Sequence, residues 1–123
     1  MALPTNHLIQ EIRVTAYSPS VGTSPIAAWV LAPCQGTIIR VGGIINGAIT
    51  TSDCSVTVAI NGTSIAPAFF TIPFTASAAG TNAEMVPTGT NAVNEDDQIS
   101  FTPANATGST ITGNFFALIR PTT

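Results

Sequence analysis

The sequence predicts an all-β protein, a single-domain antiparallel β-sandwich with jelly-roll-like or Greek-key winding. Short runs rich in β-branched residues recur along the 123 residues, nine prolines and ten glycines separate them, and helical periodicity is almost absent. This length is typical of one domain. We expect Met1–His7, which contains Pro4, to form an extended arm, and residues 8–123 to form the sandwich.

The strands follow from where these runs begin and end. The first, Leu8–Tyr17, alternates a mixed face with a mostly apolar one, as a half-buried antiparallel strand does. The last, Ile111–Arg120, is apolar on both sides, which indicates a central or an interface strand. The stretch Ala76–Thr90 indicates a long loop or a poorly paired edge, with one weak strand near Asn82–Met85. The other predicted strands are Ile26–Ala32, Thr37–Ile45, Ser55–Ile60, Thr63–Ala66, Phe69–Phe74 and Gln98–Thr102.

The clearest local signal is a hairpin at Asn61-Gly62. The run Val56–Ile60 alternates apolar and polar residues and leads directly into this dipeptide. A two-residue type I′ turn needs positive φ at both central positions, which asparagine and glycine tolerate best. The sequence therefore predicts two antiparallel strands joined at this turn.

Charged side chains are unusually scarce. The chain has three arginines, six acidic residues, one histidine and no lysine, so charged residues make up 7% against about 25% in ordinary soluble domains. A net charge of −3 argues against nucleic-acid binding, which depends on neutralising phosphates. No run approaches the roughly 20 apolar residues of a transmembrane helix, so we expect no membrane insertion. So weakly charged a chain favours a partner that covers apolar surface.

Residues suited to catalysis or metal binding are sparse. His7 is the only histidine, and a base in a terminal arm is poorly placed to activate a nucleophile. One histidine and two separated cysteines do not supply the four ligands of a zinc site. The cluster Glu95-Asp96-Asp97 lacks the spacing of a calcium-binding loop, so a solvated turn is favoured over a metal site. We therefore expect neither enzyme activity nor a cofactor.

The two cysteines are expected to be free thiols. Cys34 and Cys54 flank the predicted strand Thr37–Ile45, which when extended spans about 30 Å. A disulfide needs Cα atoms within about 7 Å. A bridge forms only if the loop after the strand folds back along it.

Most of the aromatic side chains are expected in the core. The adjacent pairs Phe69-Phe70 and Phe115-Phe116 must each place one ring on either face of a strand, so one ring is a candidate to face a neighbour. An exposed pair would also suit stacking on sugar rings. The residues assigned to the core are Trp29, Phe69, Phe70, Phe74, Phe101, Phe115 and Phe116.

The stretch from residue 32 to residue 63 resembles a known family. It contains Ala32-Pro33-Cys34-x-Gly36-x-Ile38-x-x-Val41, then Asn46-Gly47, then Val56-x-Val58-x-Ile60-Asn61-Gly62-Thr63. This pattern is similar to the head decoration (cement) proteins of tailed bacteriophages and to related capsid-surface sandwiches. The ending Asp96-Asp97-x-Ile99-x-Phe101 with Ile119-Arg120-Pro121 also resembles theirs, with Asp96 in place of a glycine.

The resemblance implies a jelly-roll-like virion protein, often a homotrimer, that binds the outside of the capsid and clamps neighbouring subunits of the major capsid protein. It implies assembly in the host cytoplasm, and the N-terminus lacks the pattern of a signal peptide. Without lysine, the arginines are the natural polar anchors. The candidate capsid or subunit contacts are Arg13, Arg40, Arg120, Phe69, Phe116 and His7.

A second hypothesis is a carbohydrate- or receptor-binding sandwich on a phage fibre or spike. This function would require an exposed aromatic platform or a concave polar groove. Binding to a glycan would favour it, whereas binding to capsids that lack this protein would favour the decoration role.

Overall fold

A computed structural model describes residues 10–106 and 110–122. In these ranges the chain forms nine β-strands and no helix, so none that could cross a membrane. The predicted arm Met1–His7, including His7, lies outside the described residues. The strands are β1 (Ile12–Ser18), β2 (Ala28–Leu31), β3 (Gly36–Asn46), β4 (Cys54–Ile60), β5 (Thr63–Ile72), β6 (Ala79–Met85), β7 (Ala92–Val93), β8 (Gln98–Ala104) and β9 (Gly113–Pro121).

Two antiparallel sheets enclose the core, and their strand order is that of a jelly roll. One sheet has the order β1-β9-β3-β6, with β7 also paired to β3, and the other has the order β2-β8-β4-β5. The chain therefore changes sheet after β1, β2, β3, β5, β7 and β8, which is the winding of a jelly roll. The predicted all-β sandwich is confirmed.

Most predicted strands are present, and three differ from the prediction. The predicted strands Thr63–Ala66 and Phe69–Phe74 fall in the single strand β5, which ends at Ile72, because pairing with β4 resumes at Phe69 after a register shift between Thr57 and Ala59. The weak strand near Asn82–Met85 is the longer edge strand β6, which pairs with β3. The short β7 was not predicted, since two residues show no periodicity.

The central strand β9 places two adjacent phenylalanines beside two adjacent glycines of β3. Phe115 pairs with Gly43 and points into the core, while Phe116 pairs with Gly42 and points outward. A Cβ on Gly42 would lie 2.7 Å from Cε1 of Phe116, and one on Gly43 would overlap the ring of Phe115. Because Gly42 and Gly43 have no side chains, β3 leaves the space that the two rings occupy.

Three phenylalanine rings join the two sheets at the centre of the core. Phe115 of β9 stacks on Phe101 of β8 with 5.5 Å between ring centroids, and meets Phe70 of β5 edge to face at 6.4 Å. Such pairs add to the free energy of apolar burial. All three rings are buried, as predicted.

Both cysteines are free, as predicted. Cys34 lies just before β3, and Cys54 begins β4 after the chain has run the length of β3. Burial raises the pKa of the Cys54 thiol, although a backbone hydrogen bond at Ala104 opposes the shift. At neutral pH this thiol therefore stays protonated and packs as an apolar group.

The hairpin at Asn61-Gly62 provides a test of the turn geometry. Both residues have positive φ, 50° and 87°, and no atom lies within 4 Å of the position of a Cβ on Gly62. Gly62→Val should therefore destabilise through backbone strain alone, by about 1–3 kcal/mol. Chemical denaturation measures the difference, with Gly62→Asn as the control that tolerates positive φ. An unchanged midpoint for Gly62→Val would contradict the turn.

Candidate interaction surface

The outward side of the β1-β9-β3-β6 sheet carries every arginine of the chain. Arg13 lies on β1, Arg40 on β3 and Arg120 on β9, and all three are exposed. Leu118 pairs with both Arg13 and Arg40, so it lies between them on the sheet. We call this surface the arginine face. Its outward side chains include Arg13, Thr15, Tyr17, Arg40, Ile44, Asn82, Glu84, Asn114, Phe116, Leu118 and Arg120.

Arg40 reaches this face because β3 is irregular. The pairing with β9 shifts register between Ile38 and Arg40, where Ile39 is the extra residue. Residues two apart on a regular strand share a face, so without the shift Arg40 would point inward like Ile38. A bulge of this kind turns the following side chain to the other face of the sheet.

Two of the arginines form ion pairs with carboxylates. Arg120 donates to Oε2 of Glu11 through Nη2 at 2.6 Å and through Nε at 3.2 Å. The Nε atom of Arg40 lies 3.9 Å from Oε2 of Glu84, and both side chains are about half exposed. Exposed pairs of this kind contribute little to stability. They orient the two guanidinium groups on the surface.

Arg13 has an aromatic partner instead. Its guanidinium carbon lies 4.1 Å from the centroid of the Phe116 ring, a position that favours a cation–π interaction. No carboxylate among the described residues forms an ion pair with Arg13. Phe116 therefore holds the guanidinium of Arg13 in place, and the positive charge of Arg13 remains available to a partner.

A shallow groove of about 270 Å³ lies beside this pair. Arg13 and Phe116 contribute to its lining, as do Asn82 and Glu84 from the edge strand and the backbone of Gly43. The groove therefore combines an aromatic ring with amide, carboxylate and guanidinium groups. Such a set can receive a polar side chain of a protein partner or a small polar ligand.

Most of the acidic residues lie away from the arginine face. Glu95 and Asp96 form the turn before β8, as predicted. Asp97 accepts a hydrogen bond from the Asn94 N–H at 2.7 Å and another from Nδ2 of Asn61 at 2.9 Å. These bonds, the backbone one most strongly, lower the pKa of Asp97. In the described ranges no group of three or more His, Cys, Asp or Glu could hold a metal ion.

Phe69 lies on the opposite sheet from the predicted contacts of the arginine face. Its exposure also shows that part of the core prediction is wrong. The predicted core position is wrong for Trp29, Phe69 and Phe74, which are 61%, 50% and 38% exposed. It is also wrong for Phe116, which points outward under Arg13. Trp29 alternates with Ala28 and Val30 on a strand that is apolar on both sides, so the sequence did not show which side faces inward. Phe69 points outward because its neighbour Phe70 fills the core.

The structure thus brings together four of the six predicted contact residues. Arg13, Arg40, Arg120 and Phe116 share the arginine face, although they lie on three different strands. Phe69 lies on the other sheet, and His7 lies outside the described residues. Trp29 is a further exposed candidate that the sequence did not indicate.

Comparisons with known proteins indicate the fold. No protein-family model matches the sequence, and the search of curated proteins gives no match. A solved chain described as "Acidic stable capsid structure of Helicobacter pylori bacteriophage KHP30" superposes with a TM-score of 0.51 at 14% identity, over 91% of this chain and 92% of that chain. A chain described as "CBM4 structure and function" gives a TM-score of 0.41 at 14% identity, over 88% and 83%. The chain therefore has a β fold like that of the phage capsid chain.

The hydrogen bonds of Asp97 predict a pH-dependent stability. Its lowered pKa means that the carboxylate stabilises the fold above about pH 4, its value in an unfolded chain, and that this contribution is lost as the pH falls through the folded-state pKa. Asp97→Asn should therefore lower the melting temperature at pH 7 and change it progressively less towards pH 3.

Asp96→Asn is the matched control, because it removes the same charge from the same turn without removing the two hydrogen bonds. Thermal unfolding of the three proteins from pH 3 to pH 7 measures the effect. An equal loss in both variants, or a loss for Asp97→Asn that is as large at pH 3 as at pH 7, would contradict the assignment.

Proposed function

We propose that this chain is a structural protein of a phage virion that decorates the outer surface of the head and stabilises it by bridging subunits of the major capsid protein. The resemblance of residues 32–63 to head decoration proteins supports this function, as does the fold shared with a phage capsid chain. The observation that carries the proposal is the convergence of Arg13, Arg40, Arg120 and Phe116 on one sheet face.

The arginine face suits contact with another protein. Arginine presents a planar set of donors to carboxylates and backbone carbonyls, and arginine and aromatic residues are enriched among the residues that dominate binding energy. Arg13 is held on Phe116 and Arg120 on Glu11 before any partner binds. Because these side chains are already ordered, this protein loses less conformational entropy when a partner binds.

Bridging explains how weak contacts can stabilise a head. A protein that binds only the assembled shell stabilises it by mass action. The resemblance implies a homotrimer, and three linked copies would engage several capsid subunits at a high effective concentration. In this proposal the protein acts on the virion exterior after assembly in the host cytoplasm, without catalysis, and His7 is a further contact.

The groove on the arginine face favours a second candidate function, binding of a carbohydrate or other receptor by a phage fibre or spike. Its aromatic ring, amides and charged groups could receive a sugar. However, its volume of about 270 Å³ lies just below the range of roughly 300–1,000 Å³ typical of ligand pockets. The groove therefore supports this function less than the whole face supports a protein contact.

Binding to heads that lack this protein tests the proposed function. The parent protein should bind the heads and raise the temperature at which they release their genome. Arg13→Ala should weaken binding by roughly tenfold or more, as expected when an arginine that contributes strongly to an interface is removed. Its own melting temperature should change little, because the side chain is exposed.

Glu95→Gln is the control, since it changes a charge in a turn away from the arginine face and should bind like the parent. Failure of the parent protein to bind heads would overturn the decoration role. Millimolar or tighter binding to a glycan, lost in Arg13→Ala, would favour the carbohydrate-binding function instead.

A further inference from the structure

The outward side of the second sheet, β2-β8-β4-β5, is free of charge. None of its four strands contains Asp, Glu, Lys, Arg or His. Three of its outward side chains are large and apolar: Trp29, Leu31 and Phe69 are 61%, 55% and 50% exposed. Large apolar side chains exposed on a face without charge favour contact with a partner. We call this surface the uncharged face, with outward side chains Trp29, Leu31, Thr57, Phe69, Thr71, Ser100 and Thr102.

We infer that a second copy of this chain covers the uncharged face, with the two sheets stacked about a two-fold axis parallel to the strands. In a two-fold contact the same residues meet from both sides, so a face with like charges repels itself. The uncharged face has no charged side chain, so two copies of it do not repel each other. The nearest carboxylates, Asp53 and Asp97, lie beyond the strand ends, where the N–H groups of Phe74 and Asn94 donate to them.

The strand order brings the large side chains of the two copies together. A two-fold axis parallel to the strands places β2 of one copy over β5 of the other, because these strands are the two edges of the sheet. Trp29 lies on β2 and Phe69 lies on β5. The interface therefore contains two tryptophan–phenylalanine contacts, one at each margin. In each contact Trp29 comes from one copy and Phe69 from the other.

The strand register places Trp29 and Phe69 at similar positions along the strand direction. Trp29 lies in the row of Ser100 and Ala59, and Phe69 lies in the row of Thr57, two residues away along β4. Two residues of a strand span about 7 Å, which is within reach of two aromatic rings whose centroids pair at about 4.5–7 Å. The small side chains between the rings allow the spacing of about 10 Å that stacked sheets adopt.

The edges of this sheet are less suited to a contact between copies. One edge strand, β2, has only four residues. The other, β5, contains Pro67, which has no N–H to donate to an added strand. Short edges and prolines prevent edge-to-edge pairing. A second copy therefore stacks on the face and does not extend the sheet.

The size of the face sets the strength of the contact. Four strands about 4.8 Å apart and about seven residues long cover roughly 450 Å² per copy, or about 900 Å² in total. Stable complexes bury about 1,600 Å², and weak, transient ones less than about 1,200 Å². We therefore expect a concentration-dependent dimer. The two-fold contact leaves the arginine face free, so dimer formation does not depend on capsid binding. The homotrimer of the proposed function would use a different surface and is compatible with this dimer.

The single tryptophan of the chain reports on this contact directly. In one copy Trp29 is largely exposed, so its fluorescence emission should shift to shorter wavelength as the protein is concentrated from about 1 µM to 1 mM, the range of weak complexes. Sedimentation over the same range should show a rise in mass by a factor of two. The emission shift and the rise in mass should follow the same curve.

Two matched variants place the contact on one face. Phe69→Ser should weaken the association at least about tenfold and keep the Trp29 emission at long wavelength. Tyr17→Ser removes an aromatic side chain of similar exposure, 56%, from the arginine face, and should associate like the parent.

Three results would overturn the inference. The first is an emission and a mass that do not change with concentration. The second is a loss of association in Tyr17→Ser with none in Phe69→Ser. The third is a single-copy protein whose Trp29 emission shifts only when heads or an oligosaccharide are added, which would assign the face to that partner. None of these results depends on whether Arg13→Ala binds heads, so the proposed function is judged separately.

Discussion

The two phenylalanines of β9 and the two glycines of β3 form the contact on which the rest of the structure depends. Each ring occupies the space that a side chain on the opposite glycine would fill, one ring on each side of the sheet. A slip of one residue would exchange the faces of every side chain on the strand. The pairing of Phe115 and Phe116 with Gly43 and Gly42 therefore determines both the core and the arginine face.

Fold stability and the candidate surface are consequently coupled. On the inner side, Phe115 contacts Phe101 and Phe70 and joins the two sheets. On the outer side, Phe116 holds the guanidinium of Arg13. These ring contacts tie the two sheets together in a chain whose cysteines are both free. All three arginines lie on the outer side of one sheet, and the four strands of the opposite sheet contain no charged residue.

Features that depend on a local backbone requirement could be predicted from the sequence, whereas features that depend on strand order could not. The Asn61-Gly62 turn is predictable because few other residue pairs adopt its φ values. The convergence of Arg13, Arg40 and Arg120 required the order β1-β9-β3 and the bulge before Arg40, neither of which has a sequence signal. Trp29 was misassigned because its strand is apolar on both sides.

A cryo-electron microscopy reconstruction of the virion tests the central claim most directly, because it shows which face of the sandwich contacts which neighbour. The account predicts this chain on the outer surface of the head, with Arg13 and Phe116 against the capsid shell and Trp29 turned away from it. A reconstruction that places the chain in a fibre or spike, or that seats Trp29 and Phe69 on the shell, would contradict the account.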